Sequence, residues 1–392
     1  MTTKVVMIAY TNYPVDARVR REAEALVNDA NYQVSVLTLK RNFLPRTYVS
    51  NGVLVKELNL KKYRGKSPLR YMWSYLRFTL LSWLECTRLF LKNELDIVHI
   101  HNMPNFLVFS AIVPRLFGKK LILDIHDSVP ETFLSKFNGS SNFLFNFFCL
   151  EERISSALAH RIICVNEVQR NVLVKRGIPE EKTSISMNIP DDRLFISDRI
   201  PHFEPDSNGR FKIVYHGTIT HRLGVDLAIQ SVSQLVDKIP KLEFHIWGAG
   251  EFLEHCVSLS GTLGLNDKVH FHGTVDFTSI PEVLKDMDLG VVPNRRSNAT
   301  EMMLPLKMLE YIALGIPVVA ARLETVEYYF SDGMVSYFEP DDVQSLVSAI
   351  YSNYKEKTKS RERAEKSLNF LKKYSWAEHK NELFNLYSKL SK

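Results

Sequence analysis

The feature that most constrains the fold of this 392-residue chain is an alternation of short β-branched runs with helical patterns. A helical pattern, ARVRREAEALVNDA (17–30), separates the first two runs. The runs of the first half are KVVMIAY (4–10), YQVSVLTL (32–39), DIVHIHN (96–102), KKLILDIHD (119–127), HRIICVNE (160–167) and TSISMNIP (183–190). Strands that alternate with helices favour a parallel sheet covered on both faces. We therefore predict a doubly wound α/β domain over residues 1–197.

A polar segment rich in turn-forming residues, DRIPHFEPDSNGR (198–210), interrupts this alternation and predicts a linker. Beyond it, a helix is predicted across residues 224–236, and the predicted strands are FKIVYHG (211–217), KLEFHIWG (241–248), KVHFHG (268–273), DLGVVP (288–293), IPVVAA (316–321) and VSYF (335–338). Residues 211–374 are therefore expected to form a second doubly wound domain. Two such Rossmann-like domains would face each other across a cleft, because ligands of these sheets collect outside the carboxyl ends of the strands.

The chain after Pro340 is predicted to be helical to its last residues. The segment SWAEHKNELFNLYSKL (375–390) is amphipathic, and its apolar side carries Trp376, Leu383, Phe384, Tyr387 and Leu390. Residues 375–392 could close the second domain or complete the first.

Charge is distributed unevenly along the chain. Residues 1–200 contain 28 basic and 19 acidic side chains, whereas residues 201–392 contain 22 and 25. The first half is therefore the one expected to meet an anionic partner, and no nucleic-acid partner is expected. The four cysteines show neither CxxC nor Cys/His spacing, and the N-terminus does not resemble a signal peptide. We expect a reduced, cytoplasmic protein without a structural metal.

Two aromatic segments, residues 69–92 and 143–148, raise the possibility of contact with a membrane surface. No uninterrupted apolar run reaches the roughly 18 residues of a membrane span. The first segment places Trp73, Tyr75, Phe78 and Trp83 among basic side chains, and the second reads FLFNFF. An aromatic and basic helix can lie at an anionic bilayer, and it can equally be a core helix. A peripheral position at the inner face of the cell membrane is one expectation.

Glycine-containing turns follow the first three strands of the second half. VYHGTITHRLGVDLAI (214–229) predicts a strand, a loop with Gly217 and Gly224, and a helix. A helix N-terminus with a nearby arginine, here Arg222, suits a phosphate, although loop geometry alone also explains the glycines. In WGAGEF (247–252) the third glycine of a dinucleotide fingerprint is replaced by Leu253, which argues against a dinucleotide dehydrogenase.

The most specific motif is LPLKMLEYIALGIPVVAAR (304–322). It predicts a helix that starts at Leu304 and Pro305, with Lys307 and Glu310 on one face within its first two turns. A lysine at the positive end of a helix dipole is favourable when an anion joins it. We interpret Lys307 as the partner of a phosphate and Glu310 as the acceptor of hydrogen bonds from a sugar diol. The alternative is an exposed i,i+3 ion pair.

At these residues the chain resembles the family 4 glycosyltransferases, retaining enzymes of the GT-B architecture that use nucleotide-activated sugars. The resemblance covers nearly the whole chain, including YPVDARVRREAEAL, DIVHIHNMPNF, LILDIHDSVPETF, YHGTITHRLGVDLAI, VHFHGTV and LPLKMLEYIALGIPVV. It implies that Glu310 binds the nucleotide ribose, that Lys307 and Arg222 hold the diphosphate, and that backbone near Val275 meets the base. The donor-binding residues expected from it are Gly217, Thr218, Arg222, Gly248, Val275, Glu301, Met303, Leu304, Lys307 and Glu310.

The chain departs from the family pattern at two places. Met302 stands where many members have a first glutamate, and Glu301 is one residue off this register. Either the loop shifts so that Glu301 takes over, or the donor sugar is contacted differently. Thr218 and Leu223 align with the basic residues that members carry in the loop before the first helix of the second domain.

In the first domain, DIHD places His126 and Asp127 at the carboxyl end of a predicted strand. The resemblance implies that His126 hydrogen-bonds the transferred sugar. A core histidine and a helix N-cap at Asp127 are the alternatives. The residues expected to line the acceptor side are Asp16, Arg18, Arg21, His101 and Asn102, although arginines on a first helix often form only its solvated face.

The predicted function is retaining transfer of a sugar from a nucleoside diphosphate to a glycan or polyprenyl-diphosphate-linked glycan of the cell surface. Departure of the diphosphate requires fixed positive charge, and the expected catalytic residues are His126, Asp127, Lys307 and Arg222. No metal is expected to be required. The resemblance suggests a front-face route in which the leaving phosphate helps to take the acceptor proton, with domain closure excluding water. A non-catalytic partner of the same fold and a nucleotide-sugar 2-epimerase remain as alternatives.

Overall fold

The computed structural model describes residues 2–63, 65, 67–137, 142–195 and 209–391, which group into two compact units. The first unit is Met1–Met187 with Ala377–Lys392, and the second is Asn188–Trp376. Most of the predicted linker, residues 198–208, lies outside the described residues.

The first unit contains an eight-stranded sheet whose order is β3-β4-β2-β1-β5-β6-β7-β8. Its strands are β1 (Lys4–Ala9), β2 (Gln33–Leu39), β3 (Thr47–Ser50), β4 (Val53–Leu58), β5 (Ile97–His101), β6 (Lys120–Ile125), β7 (Arg161–Cys164) and β8 (Thr183–Ile185). All neighbours pair in parallel except β3 and β4, which form an antiparallel hairpin. This hairpin is not among the predicted strands. Its turn residues, Asn51 and Gly52, both have positive φ, as a two-residue hairpin turn requires.

Helices cover both faces of this sheet. They are α1 (Ala17–Asn28), α2 (Pro68–Leu91), α3 (Ile112–Leu116), α4 (Val129–Phe137), α5 (Asn142–Leu158) and α6 (Glu167–Lys175), with short 3-10 turns at Tyr13–Val15, Asn105–Ala111 and Glu180–Lys182. Successive residues of β1 enter opposite core layers, since Val6 and Ile8 belong to one layer and Val5 and Met7 to the other. The near-continuous apolar strands are thus buried on both sides, as in other parallel sheets.

The second unit contains a six-stranded, fully parallel sheet whose order is β11-β10-β9-β12-β13-β14. Its strands are β9 (Phe211–His216), β10 (Leu242–Trp247), β11 (Val269–Gly273), β12 (Leu289–Val292), β13 (Val318–Ala321) and β14 (Ser336–Phe338). Its helices are α7 (Val225–Ser233), α8 (Leu253–Thr262), α9 (Ile280–Leu284), α10 (Asn298–Glu301), α11 (Leu306–Ala313), α12 (Glu324–Tyr329), α13 (Val343–Lys355) and α14 (Lys357–Lys373), with 3-10 turns at His221–Leu223 and Phe277–Ser279. Both predicted doubly wound sheets are therefore present.

The C-terminal helix α15 (Trp376–Ser391) contributes to the core of the first unit. Its buried residues Leu383, Leu386, Tyr387 and Leu390 pack with strand residues of the first sheet. The hydroxyl of Tyr387 lies 2.8 Å from Nδ1 of His99 on β5. Of the two positions left open for residues 375–392, the structure places this helix in the first unit.

Helix α2 divides into a buried and an exposed side. Phe78 is completely buried in the core, whereas 64% of the surface of Trp73 is exposed. The aromatic residues predicted for one membrane-facing stretch thus lie on different sides of the helix. Among the described residues, every helix is too short or too polar to cross a bilayer.

Candidate active site

In the second unit, a candidate donor site forms where the loops after β9, β10 and β11 meet the first turns of α11. The amide of Gly217 donates to Trp247 O at 2.9 Å, and the amide of Gly248 donates to Gly273 O at 2.7 Å. A Cβ atom on Gly248 would lie 1.9 Å from the carbonyl oxygen of Gly217, so this position has no room for a side chain. Both glycines have positive φ. The three loops therefore form one closely packed backbone edge.

Lys307 lies against this edge with an unusual environment for a cation. A Cβ atom on Gly217 would lie 3.3 Å from Cε and 3.4 Å from Nζ of Lys307. The nitrogen lies 3.7 Å from the ring centroid of Tyr215, is buried, and has no hydrogen-bond partner among the described residues. Burial lowers the pKa of Lys307 to about 7; Glu310 opposes this shift and Arg222 adds to it. The site thus holds a lysine that an added anion would stabilise.

Glu310 lies one turn further along α11, as predicted, but it is not an exposed partner of Lys307. It is 3% exposed, and its Oε2 atom lies 2.5 Å from Nε2 of His216 at the end of β9. Nδ1 of His216 lies 3.0 Å from the hydroxyl of Tyr311, which also accepts the backbone N–H of His216 at 3.0 Å. The alternative of a surface ion pair is therefore wrong for these two residues. His216, which the sequence patterns did not single out, fixes the position of Glu310.

The remaining predicted donor residues surround this site to different degrees. Arg222, in the turn before α7, is close enough for its charge to affect the pKa of Lys307. Thr218 uses its carbonyl to accept the hydroxyl of Tyr215 at 2.5 Å. Val275, Met303 and Leu304 are half-buried, and Sδ of Met303 lies 3.9 Å from Nδ2 of Asn294.

Glu301 is held by its own neighbours. Its Oε1 atom lies 3.1 Å from Nε of Arg296, and its Oε2 atom accepts the backbone N–H of Glu324 at 2.5 Å. The carboxylate therefore caps the first turn of α12. Met302 is buried at 9% exposure. Of the two alternatives for the missing first glutamate, a shift that frees Glu301 would have to break both of its present contacts.

In the first unit, the residues predicted for the acceptor side gather around Asp124 of β6. Arg18 donates to both of its oxygens, from Nε and Nη2, at 3.0 Å each. Nε2 of His126 lies 2.9 Å from Asp124 Oδ2, and Nδ1 of His101 lies 3.3 Å from the same oxygen. We call Arg18, Glu22, His99, His101, Asp124 and His126 the Asp124 cluster. Asp124, Glu22 and His99 are members that the sequence patterns did not reveal.

The Asp124 cluster corrects several expectations for α1. Arg18 and Arg21 are 5% and 7% exposed, so a solvated face is wrong for both residues. The fork of Arg18 is occupied by Asp124, and its Nη1 donates to Ser186 O at 2.8 Å. Asp16 is the N-cap of α1 and accepts the N–H of Val19 at 3.2 Å. Its acceptor role stays a prediction.

His126 and Asp127 lie in the loop that follows β6. His126 is half-buried rather than a core residue, and its backbone N–H donates to Oδ1 of Asn102 at 2.8 Å. Asn102 also donates from Nδ2 to the carbonyl of Asp127 at 2.8 Å. Helix α4 begins at Val129, so Ser128 precedes it and Asp127 is exposed instead of capping. The N-cap alternative for Asp127 is therefore wrong.

The pKa values of the groups in the Asp124 cluster are shifted in different directions. Burial alone would raise the pKa of Asp124, but Arg18 and His126 together hold it well below its usual range. Burial opposes protonation of His126, whereas the Asp124 carboxylate more than offsets this and raises the pKa of His126. Burial raises the pKa of Glu22. Protonation of His126 and ionisation of Asp124 therefore favour each other.

Two groups of side chains among the described residues could hold a metal ion. Glu22, His99, His101 and Asp124 offer atoms within 4.8 Å of one another, and so do Glu243, His245 and His270 on β10 and β11. In the first group, the guanidinium of Arg18 already occupies the carboxylate that an ion would need. The second group is half-buried, and its Glu243 and His245 are 3.2 Å apart.

Comparisons with known proteins agree with this organisation. The sequence profile described as Glycosyltransferase Family 4 matches residues 15–188, and the profile described as Glycosyl transferases group 1 matches residues 210–356. The chain is 22% identical to a subunit of the phosphatidylinositol N-acetylglucosaminyltransferase of Homo sapiens over 355 residues, which cover 89% of this chain and 68% of that protein. It spans 59%, 64% and 49% of three further curated relatives.

Solved structures of the same fold span nearly the whole chain. Sucrose-phosphate synthase from Thermosynechococcus elongatus has a TM-score of 0.79 at 16% identity, with 99% of both chains covered. The Anabaena protein HepE in complex with UDP and glucose has a TM-score of 0.71 at 16% identity, with 99% and 100% covered. This likeness establishes the fold.

Proposed function

The chain belongs to family 4 of the glycosyltransferases and has the α/β units of the GT-B fold, and from this premise we propose that it transfers a sugar from a nucleoside diphosphate to a glycan or lipid-linked glycan acceptor. The proposed role is in the synthesis of a cell-surface polysaccharide or glycoconjugate. The observation that carries the proposal is the buried side-chain nitrogen of Lys307, which has no hydrogen-bond partner among the described residues and lies beside Gly217 in the candidate donor site.

Binding of a diphosphate would explain why the folded protein contains a buried lysine at this position. A buried cation without a partner destabilises the folded state, so a stabilising partner is expected during the working cycle. A diphosphate supplies that partner, and Arg222 adds a second positive charge near it. Glu310, fixed by His216, is positioned one turn away to accept hydrogen bonds from a ribose. HepE was solved with UDP and glucose, which supports a nucleotide donor for a chain of this fold.

The proposed reaction retains the configuration of the sugar. The bond between the anomeric carbon and the leaving phosphate breaks, and a bond forms from the acceptor oxygen to the same face of that carbon. The acceptor proton passes to the leaving phosphate. Lys307 and Arg222 stabilise the charge that develops on the diphosphate, so that no divalent metal is required. His126, whose protonation is favoured by the Asp124 carboxylate, would donate a hydrogen bond to the transferred sugar.

We place the enzyme in the cytoplasm, peripherally at the inner face of the membrane. The support is a set of exposed apolar side chains on α2 and α5, which include Trp73 at 64%, Leu80 at 56% and Phe147 at 52% exposure. A large exposed apolar patch usually marks an interaction site. Arg70 and Arg77 are exposed on the same helix and would favour anionic lipid. The relatives are transferases, and they favour neither the 2-epimerase nor the non-catalytic partner.

A direct test is product analysis with the purified chain. Thermal-shift screening against nucleoside diphosphates and their sugars identifies the donor, and NMR of the glycosylated product reports its anomeric configuration. We expect the donor configuration in the product, with equal turnover in EDTA. An inverted product or loss of turnover with EDTA would contradict the respective part of the proposal.

A further inference from the structure

An apolar pocket that encloses about 60 Å³ lies in the first unit among α2, α4, α5 and the segment after β5. Its walls are mostly aromatic and sulfur-containing side chains, among them Tyr71, Met72, Tyr75, Met103, Phe133 and Phe148. Neither the family assignment nor the proposed donor site gives this pocket a role. Its lining therefore calls for a ligand with an apolar part.

The side chains of α2 form three stripes that place this pocket between the core and the exposed surface. Ser74, Phe78, Ser82, Cys86 and Leu89 form the buried stripe. Pro68, Tyr71, Met72 and Tyr75 follow i, i+3, i+4 and i+7 spacing and line the pocket. Leu69, Trp73, Leu76, Leu80 and Leu84 form the exposed stripe, at 47% to 82% exposure. A chain that leaves the pocket along α2 would therefore meet an apolar outer surface.

The pocket lies beside the predicted acceptor residues. Met103, in its wall, directly follows Asn102, whose side chain holds the backbone of His126 and Asp127. Val129, also in the wall, is the first residue of α4. A ligand with its polar end at His126 would thus have this apolar pocket next to it.

Among the described residues that line the pocket, none carries a basic side chain that could pair with a phosphate. The carboxylate of Glu151, which is part of the lining, accepts from Nδ2 of Asn105 at 3.1 Å and from Oγ of Ser155 at 3.1 Å. Burial raises the pKa of Glu151 to about 7. An anionic group would therefore stay outside while a hydrocarbon chain entered.

We propose that this pocket binds the first isoprene unit of a polyprenyl-phosphate-linked acceptor, an inference that rests on the proposed transfer to a lipid-linked glycan. A pocket of about 60 Å³ has room for the branched end of one hydrocarbon chain, whereas two acyl chains side by side need more space. Aromatic faces and thioether sulfurs pack well against flat, branched isoprene units. The rest of the chain would pass along the exposed stripe of α2 and the exposed residues of α5, such as Phe143 and Phe147, toward the bilayer.

The probe is geranylgeranyl phosphate carrying a photoreactive diazirine on its isoprenoid chain, irradiated with the full-length protein in detergent. We expect labelled peptides to contain pocket residues from 68–75 or Met103, and excess unlabelled geranylgeranyl phosphate to abolish labelling. Dioleoyl phosphatidic acid at equal concentration should compete poorly. Labelling confined to the exposed stripe, or equal competition by the diacyl lipid, would overturn the inference.

A pocket-filling variant, Met72→Trp, should weaken probe binding about tenfold, because it takes the space of roughly two methylenes. The matched control is Leu116→Trp, at an exposed position at the end of α3 that belongs neither to the pocket lining nor to the exposed stripe, and it should bind the probe like the wild type. Equal effects of the two substitutions would contradict the proposal. Labelling of the unmodified protein decides the matter even if Met72→Trp does not fold.

UDP binding, measured by calorimetry, separates this inference from the proposed function. Both variants should bind UDP with unchanged affinity. If the wild type bound the probe in the pocket but no nucleotide, the proposed donor site would be wrong and the proposed isoprenoid site would be supported. If it bound nucleotide without pocket labelling, only the pocket would fail.

Discussion

The ammonium nitrogen of Lys307 lies 3.7 Å from the ring centroid of Tyr215 and is buried without a hydrogen-bond partner among the described residues. A cation–π contact replaces part of the solvation that the cation loses, but not all of it. In its protonated form, Lys307 is therefore a cation that an incoming anion would stabilise. A substitution that removes the Lys307 cation should therefore raise the stability of the ligand-free protein and lower its affinity for the donor.

Replacing Lys307 with methionine should stabilise the ligand-free protein and weaken binding of the donor. Loss of the unpaired cation should raise the free energy of unfolding at pH 7 by about 1–3 kcal/mol. Loss of the phosphate contact should weaken UDP binding about 10- to 100-fold. Urea unfolding and calorimetry measure the two effects. Lys372→Met, at an exposed position of α14, should change neither quantity, and a destabilised Lys307→Met protein would contradict the assignment.

Near pH 8, the protein should take up a proton when it binds the donor. The folded-state pKa of Lys307 is about 7, so the free lysine is mostly neutral at pH 8 and an adjacent diphosphate would recharge it. Calorimetry with UDP-glucose in buffers of different ionisation enthalpy should report about 0.9 proton bound at pH 8 and about 0.1 at pH 6. The buried charge of Lys307 destabilises the folded protein most below pH 7, and this destabilisation decreases as the pH rises toward the ordinary lysine pKa. Lys307→Met should abolish the uptake.

Replacing Glu310 with glutamine should weaken the binding of those nucleotides that have ribose hydroxyls and leave the binding of others unchanged. The carboxylate that faces Nε2 of His216 is then lost, and we expect about tenfold weaker binding of UDP. The 2′,3′-dideoxy analogue of UDP should bind the wild type and Glu310→Gln equally. This pair of ligands and proteins forms a thermodynamic cycle. An equal loss for both nucleotides would mean that Glu310 acts only through the structure of the site.

Replacing Asp124 with asparagine should damage both the stability and the titration of the first unit. Arg18 would lose the carboxylate that accepts two of its hydrogen bonds and would retain Glu22 at 3.3 Å from its Nε atom, so we expect a loss of about 3 kcal/mol of unfolding free energy. The pKa of His126, raised by Asp124 in the wild type, should fall in the variant, as NMR titration of its ring would show. Asp29→Asn, which removes an exposed partner of Lys380, should cost less than about 1 kcal/mol.

Membrane binding should depend on the exposed residues of α2 and α5. The double variant Trp73→Gln, Phe147→Gln should reduce flotation with vesicles of anionic lipid, because both side chains are more than half exposed. High salt should weaken flotation of the wild type without abolishing it, since apolar burial remains. Leu44→Gln, at an exposed position after β2, serves as the control. Absence of wild-type flotation at low salt would remove the membrane role.

Local sequence patterns were sufficient to predict the two sheets and the position of Lys307 and Glu310 on one helix. Spacing within a helix fixes which residues share a face, so α11 could be anticipated from a short segment. The hairpin of β3 and β4 had a usable signal, Asn51 followed by Gly52, between alternating apolar residues.

The partners of these residues could not be predicted, because they are set by tertiary packing. His216 reaches Glu310 across 94 positions, and Arg18 reaches Asp124 across 106. An arginine on an amphipathic first helix looks like a solvated residue until the opposing carboxylate is known. The split of α2 into three stripes likewise depends on which neighbours pack against it.

The contact between His99 and Tyr387, 288 positions apart, has a consequence for synthesis on the ribosome. The first unit begins with the N-terminal strand but lacks part of its core until α15 has emerged. During translation the nascent unit would therefore present an apolar gap while the whole second unit is being made. Chaperones that shield nascent chains would have this interval in which to act, and a premature stop codon before residue 376 would leave that gap open permanently.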